Sequence, residues 1–248
     1  MFLTRIVGSS ARLLARPLHL LHSPLELAVG SMKFRPFKTV KEAEAYAHSL
    51  GISCDFVDNL PMANRCCSAL HRLEQLGVKF PTGLKIKNDV NLNVLVQYSE
   101  GIPWARYRAI HSPLDFETPF GVSRESGDPC TIYLSPRAPW RDIEKYMEAF
   151  KKRGEIPTAH PDYVITHEMG HAFHELHAGE KVKYLGGSPL SGEMVAEALG
   201  SNAMRSSKEF VADMFARRIL EPQNPVEADL WRFYEHFHGH PLPLNKVV

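Results

Sequence analysis

An α+β fold is predicted for this chain from three observations. Segments with apolar residues at helical spacing stand in both the N-terminal and C-terminal parts of the chain. A β-rich stretch broken by Pro, Gly and Ser lies between them, at about 83–135. No internal repeat or low-complexity tract interrupts this order of helices, sheet, helices. The 248 residues are 44% apolar and 23% charged, enough chain and enough apolar content for a sizeable core. The net charge of +1 argues against a polyanion-binding protein, so no nucleic-acid partner is expected. No run of 18 apolar residues predicts a membrane span. Cys54, Cys66, Cys67 and Cys130 are too few and too irregular for a disulfide framework, and none forms a C-x-x-C pair.

Residues 1–35 are set apart as an N-terminal arm. Residues 1–25 hold Arg5, Arg12 and Arg16 and no acid, the composition of a mitochondrial presequence; the alternative is an ordinary arm that packs on the domain or docks a partner. One domain is expected over 36–240, with 241–248 as a tail. Its first helix opens after Phe37, where Thr39 and Glu42 have capping-box spacing, and stops at Gly51. A second runs from about Pro61 to Leu76 ahead of Gly77, with Cys66 and Cys67 as small apolar filling. Strands are expected at Leu84–Lys87, Val94–Tyr98, Phe120–Val122 and Cys130–Leu134. Helices follow at about 140–152, 161–178, 191–199, 207–220 and 225–237.

Thirteen histidines are present, eight of them between His160 and His240. Histidine is the commonest metal ligand, so that half of the chain carries the interest. His167-Glu168-Met169-Gly170-His171 is a His-Glu-x-x-His segment on an expected helix. Residues four apart share a helix face, so both imidazoles can reach one zinc ion, and Glu168 stands beside it as a candidate general base. The flanking Val164, Ile165, Met169, Ala172 and Phe173 suit a buried helix. A catalytic zinc site needs a third protein ligand. Glu209 and Asp213 share a face of the 207–220 helix: Glu209 can be that ligand, and Asp213 can fix a histidine tautomer. Glu193 and Glu197, also four apart, are the rival pair. A third histidine ligand from the same helix is geometrically poor, so His174 and His177 are read as supporting or surface residues. His236, His238 and His240 are read as a solvated tail.

His-Glu-x-x-His followed by Glu209-x-x-x-Asp213 resembles the gluzincin metallopeptidases, and more narrowly the minimal lethal-factor-like zincin domains. The resemblance spans about 37–220 and is sharp in the two motif helices. It implies a zincin-like fold: a small mixed sheet whose edge strand lies over the motif helix, then a helical subdomain bearing the third ligand. It also implies one zinc ion per chain, held by His167, His171 and Glu209, with Glu168 as general base. A protein or peptide substrate would lie extended along the edge strand, placed at Phe120–Ser123. In lethal-factor-like sequences a tyrosine seven residues before the third ligand helps to stabilise the oxyanion; here Asn202 stands there. Asn202 can still donate a hydrogen bond, and Tyr234 and His236 are substitutes. The expectation is a zinc metallopeptidase. Its alternatives are a non-proteolytic zinc-binding module holding a partner in the cleft and a hydrolase of small amides.

Overall fold

The computed structural model describes residues 34–88, 105–108, 131–178 and 192–241. Helix α1 (Val40–Ser49) starts as its sequence dictates. Thr39 accepts a hydrogen bond from the Glu42 amide at 3.2 Å, and the Glu42 carboxylate accepts from the Thr39 amide at 3.2 Å. Gly51 takes the left-handed conformation (φ 78°) that ends the helix. Strand β1 (Ser53–Cys54) leads into α2 (Leu60–Gln75), whose first turn is capped by Asn59. Then come β2 (Lys85–Asn88), β3 (Ala105–Arg108) and β4 (Thr131–Leu134).

The sheet order is β1-β2-β4-β3. β1, β2 and β4 are mutually parallel, in a register that places Cys54 beside Ile86 and Ile86 beside Ile132. β3 pairs antiparallel with β4 and is the outermost strand on that side among the described residues. The α+β expectation therefore holds, with two additions. β1 lies between the first two helices, so β1–α2–β2 is a parallel crossover, and β3 occupies residues not foreseen as a strand. The expected strands at 94–98 and 120–122, and the edge assigned to Phe120–Ser123, lie outside the described residues.

A 3-10 turn (Trp140–Asp142) enters α3 (Ile143–Lys152), followed by α4 (Tyr163–Ala178), α5 (Gly192–Leu199), a 3-10 turn at Asn202–Met204, α6 (Ser207–Leu220) and α7 (Ala228–His236). α4 and α6 pack most extensively, and β3 lies against α4. Gly170 makes the helix contact close: a Cβ there would stand 2.9 Å from the Ala212 Cα and 3.2 Å from the Phe215 Cβ. The apolar residues of α6 face inward all round, with Phe210, Val211, Ala212, Met214, Phe215 and Ala216 buried. Burying a phenylalanine side chain contributes about 1.5–3 kcal/mol, so this helix is a main anchor of the core. One hydrophobic cluster runs from Ala43 to Phe237 and includes Cys66 and Cys67.

The start of α4 is tied to α2: buried Asp162 accepts from the Ser68 hydroxyl at 2.7 Å, with the Arg65 guanidinium 3.7 Å away. Its other end rests on the turn after α7. His174 Nε2 meets the Phe237 carbonyl at 2.7 Å, and the His240 ring lies tilted against Phe173 with ring centroids 4.9 Å apart. Gly239 closes this turn, since a Cβ there would overlap the Tyr234 ring at 2.4 Å. Among the described residues no helix is long and apolar enough to cross a membrane.

Candidate metal centre

Two local facts put the site's side chains together. On α4, the i, i+4 spacing stacks His167 and His171 one turn apart, with ring centroids separated by 4.7 Å. On α6, Ser206 caps the helix by accepting from the Glu209 amide at 3.2 Å, which fixes Glu209 in the first turn. A carboxylate is favoured there by the helix dipole. The close approach permitted by Gly170 then faces the two turns toward each other.

His167 Nε2 is 3.1 Å from His171 Nε2 and 3.1 Å from Glu209 Oε2, and His171 Nε2 is 3.4 Å from Glu209 Oε1. Ligand atoms about 2.0–2.1 Å from a tetrahedral ion stand about 3.3 Å apart, and each of these separations is close to that, with a different Glu209 oxygen facing each histidine. Among the described residues, His167, His171 and Glu209 are the group of His, Cys, Asp or Glu that could hold a metal ion. Glu193 and Glu197 lie exposed on α5 and are not in it. Glu168 is buried in the same turn of α4 as the two histidines.

Asp213, fully buried, accepts from His167 Nδ1 at 2.8 Å, which puts the ring proton on Nδ1 and turns Nε2 inward. Asp213 accepts from further donors in the core. The Tyr163 hydroxyl donates to its Oδ1 at 2.5 Å, and the Asn202 amide donates to its Oδ2 at 3.2 Å. The electrostatics follow from these contacts. Burial alone would lower the pKa of His167, but the Asp213 charge and hydrogen bond, joined by Glu209, hold it well above its usual value. Burial alone would raise Glu209, but hydrogen bonds to His167 and His171 hold it well below the usual carboxylate range. Burial, then the nearby Asp213 charge, pushes the Tyr163 phenol upward, so it serves as a donor.

The structure thus brings together His167, Glu168, His171, Glu209, Asp213 and Asn202. It does not bring Tyr234 there. That phenol is buried, pressed against Gly239, and donates to the His240 carbonyl at 2.9 Å, which makes it a core residue. His236 is exposed at the end of α7. His174, read as supporting or surface, is instead a buried link to the turn after α7. His177 is exposed, whereas His240 is half-buried against Phe173 and so is not part of a solvated tail. The roles of Tyr163 and Gly170 are not legible in the sequence pattern alone. For Tyr163 the available signal was its position one turn before His167; Gly170 depends on a partner helix 42 residues away, with no local signal.

No protein-family model, curated protein or solved structure matches this chain.

Proposed function

We propose that the chain is a zinc-dependent peptidase whose metal is held by His167, His171 and Glu209. The observation that carries this reading is the convergence of one ligand atom each from His167, His171 and Glu209, drawn from two helices and lying within 4.8 Å of one another, with a buried glutamate next in sequence to the first ligand. Bound zinc would supply Lewis-acid polarisation of the scissile carbonyl and a lowered pKa for water. Glu168 takes the proton of the attacking water and delivers it to the leaving amine nitrogen. Asp213 holds His167 in the tautomer that leaves Nε2 free to coordinate, and Tyr163 holds Asp213. β3, the outermost strand among the described residues, lies beside α4, which supports a substrate lying extended across the motif helix, the zincin-like arrangement that the sequence resemblance implies.

The test has two parts. Purified protein should contain one zinc per chain, and His167→Ala or His171→Ala should lose it. A random peptide library should be cleaved by wild type and, on the order of 10²–10⁴-fold more slowly, by Glu168→Gln with its zinc retained. Wild type without stoichiometric zinc would sink the metal assignment. Stoichiometric zinc with no Glu168-dependent cleavage would leave the non-proteolytic binding module as the reading. That alternative has one observation in its favour: both amide hydrogens of Asn202 already point to carboxylates rather than to a place where an oxyanion would form.

A further inference from the structure

Asn202 stands where the resemblance implies an oxyanion donor, yet its surroundings are built for something else. Its backbone is pinned from outside the site. Gly200 takes a left-handed conformation (φ 91°) so tightly against Glu155 that a Cβ would lie 2.6 Å from the Glu155 carbonyl carbon. Ser201 then donates its amide to the Gly154 carbonyl at 2.8 Å, and Asn202 donates its own to the Glu155 carbonyl at 3.1 Å. The side chain is oriented as well. Arg205 donates to Oδ1 at 3.4 Å, which directs Nδ2 toward the acids, where it donates to Glu209 Oε2 at 3.0 Å and to Asp213 Oδ2 at 3.2 Å. One amide therefore spans the third ligand and the residue that orients the first.

We propose that Asn202 is a positioning residue that clamps Glu209 and Asp213 together and thereby sets the affinity and geometry of the metal site. The proposal rests on the zinc reading above. Two carboxylates converging on one face repel each other, and a neutral amide giving one N–H to each offsets that repulsion without adding charge. The clamp also limits the rotamers open to Glu209, whose side chain is otherwise partly exposed, so less ordering is left for the metal to impose.

Asn202→Leu keeps the branched four-atom shape of the side chain and removes both donors. Zinc affinity, measured by competition with a chromophoric chelator, should fall about 10–100-fold, the range typical for residues that orient metal ligands. The Tm of the chelator-treated protein should stay within a few degrees of wild type. The visible spectrum of the cobalt(II)-loaded protein should change in band position or intensity, because Glu209 is no longer held. Asn202→Ser, with one hydroxyl donor, should show an intermediate loss, and it gives the answer should Asn202→Leu fail to fold. Wild-type zinc affinity and an unaltered cobalt spectrum in Asn202→Leu, or in Asn202→Ser where that is the folded variant, overturn the clamp and leave the peptidase reading standing. Wild type that takes up no zinc overturns both.

Discussion

Helix α4 carries two buried histidines, His167 and His174, that differ in nearly everything except burial. His167 faces Asp213 and Glu209 and is held toward its cationic form. His174, two turns on, meets a neutral carbonyl from Phe237, and burial pushes its pKa down to about 4. Desolvation disfavours the charged imidazole in both places. The sign of the partner decides the outcome: carboxylates create a place for a cation, whereas a carbonyl creates a hinge-pin between helix and chain turn. A count of histidines, or their burial alone, therefore says little about which of them bind metal.

The comparison can be broken experimentally. The largest effect should come from His167→Ala, which removes a ligand and should weaken zinc binding on the order of 10³-fold or more. His174→Gln should leave zinc affinity unchanged, and equal loss in both variants would erase the contrast. Wild-type zinc affinity should rise with pH, because the metal displaces the proton that the carboxylates hold on His167.

Next is the acid response of His174. Its folded pKa of about 4 lies below the ordinary 6.5, so the unfolded chain takes up the proton first. The stability tied to the neutral ring is complete above about pH 6.5 and is lost progressively as pH falls from there to about 4, a total of about 3 kcal/mol. Urea titrations of chelator-treated protein at pH 7 and pH 4.5 should show the drop, and His174→Gln, which keeps a donor for the Phe237 carbonyl, should flatten part of it. An unchanged pH slope in that variant would assign the acid sensitivity to other groups.

Asp213→Asn should follow, with zinc affinity about 10–100-fold weaker, because the group accepting from His167 Nδ1 loses its charge. Gly170→Ala should cost about 1–3 kcal/mol by chemical denaturation, since the added methyl meets the Ala212 backbone rather than a flexible side chain. The smallest effect belongs to Tyr163→Phe, which deletes one hydrogen bond to Asp213 and should cost about 1 kcal/mol. A neutral result there would mean that His167 and Asn202 suffice to hold Asp213 in place.

The sequence made some of this structure visible for a physical reason. The ends of α1 are local, being a side chain folding back three residues in Thr39–Glu42 and a glycine at Gly51. His167 and His171 are local in the same sense, because one helical turn sets their spacing. Glu209 and Asp213 needed one step more, the return of a second helix. What could not be read depends on distant partners. Ser53–Cys54 is a strand only because Lys85–Ile86 lies beside it. Asn202 was found by position, but its task depends on Gly200 docking against Glu155 in another loop. Tyr234 was placed correctly on a C-terminal helix, yet the fate of its hydroxyl was set by a turn six residues later.

That same turn has a bearing on when the site comes into being. During synthesis the N-terminal parts of a chain leave the ribosome first. The motif helix is complete once Ala178 has emerged, but the carbonyl that seats His174 belongs to Phe237, and the ring that covers Phe173 belongs to His240. Some sixty residues must follow before α4 is held at both ends. A nascent chain therefore carries both candidate ligand histidines well before it carries the lock that fixes their helix, and the proposed site matures only when the turn after α7 is in place.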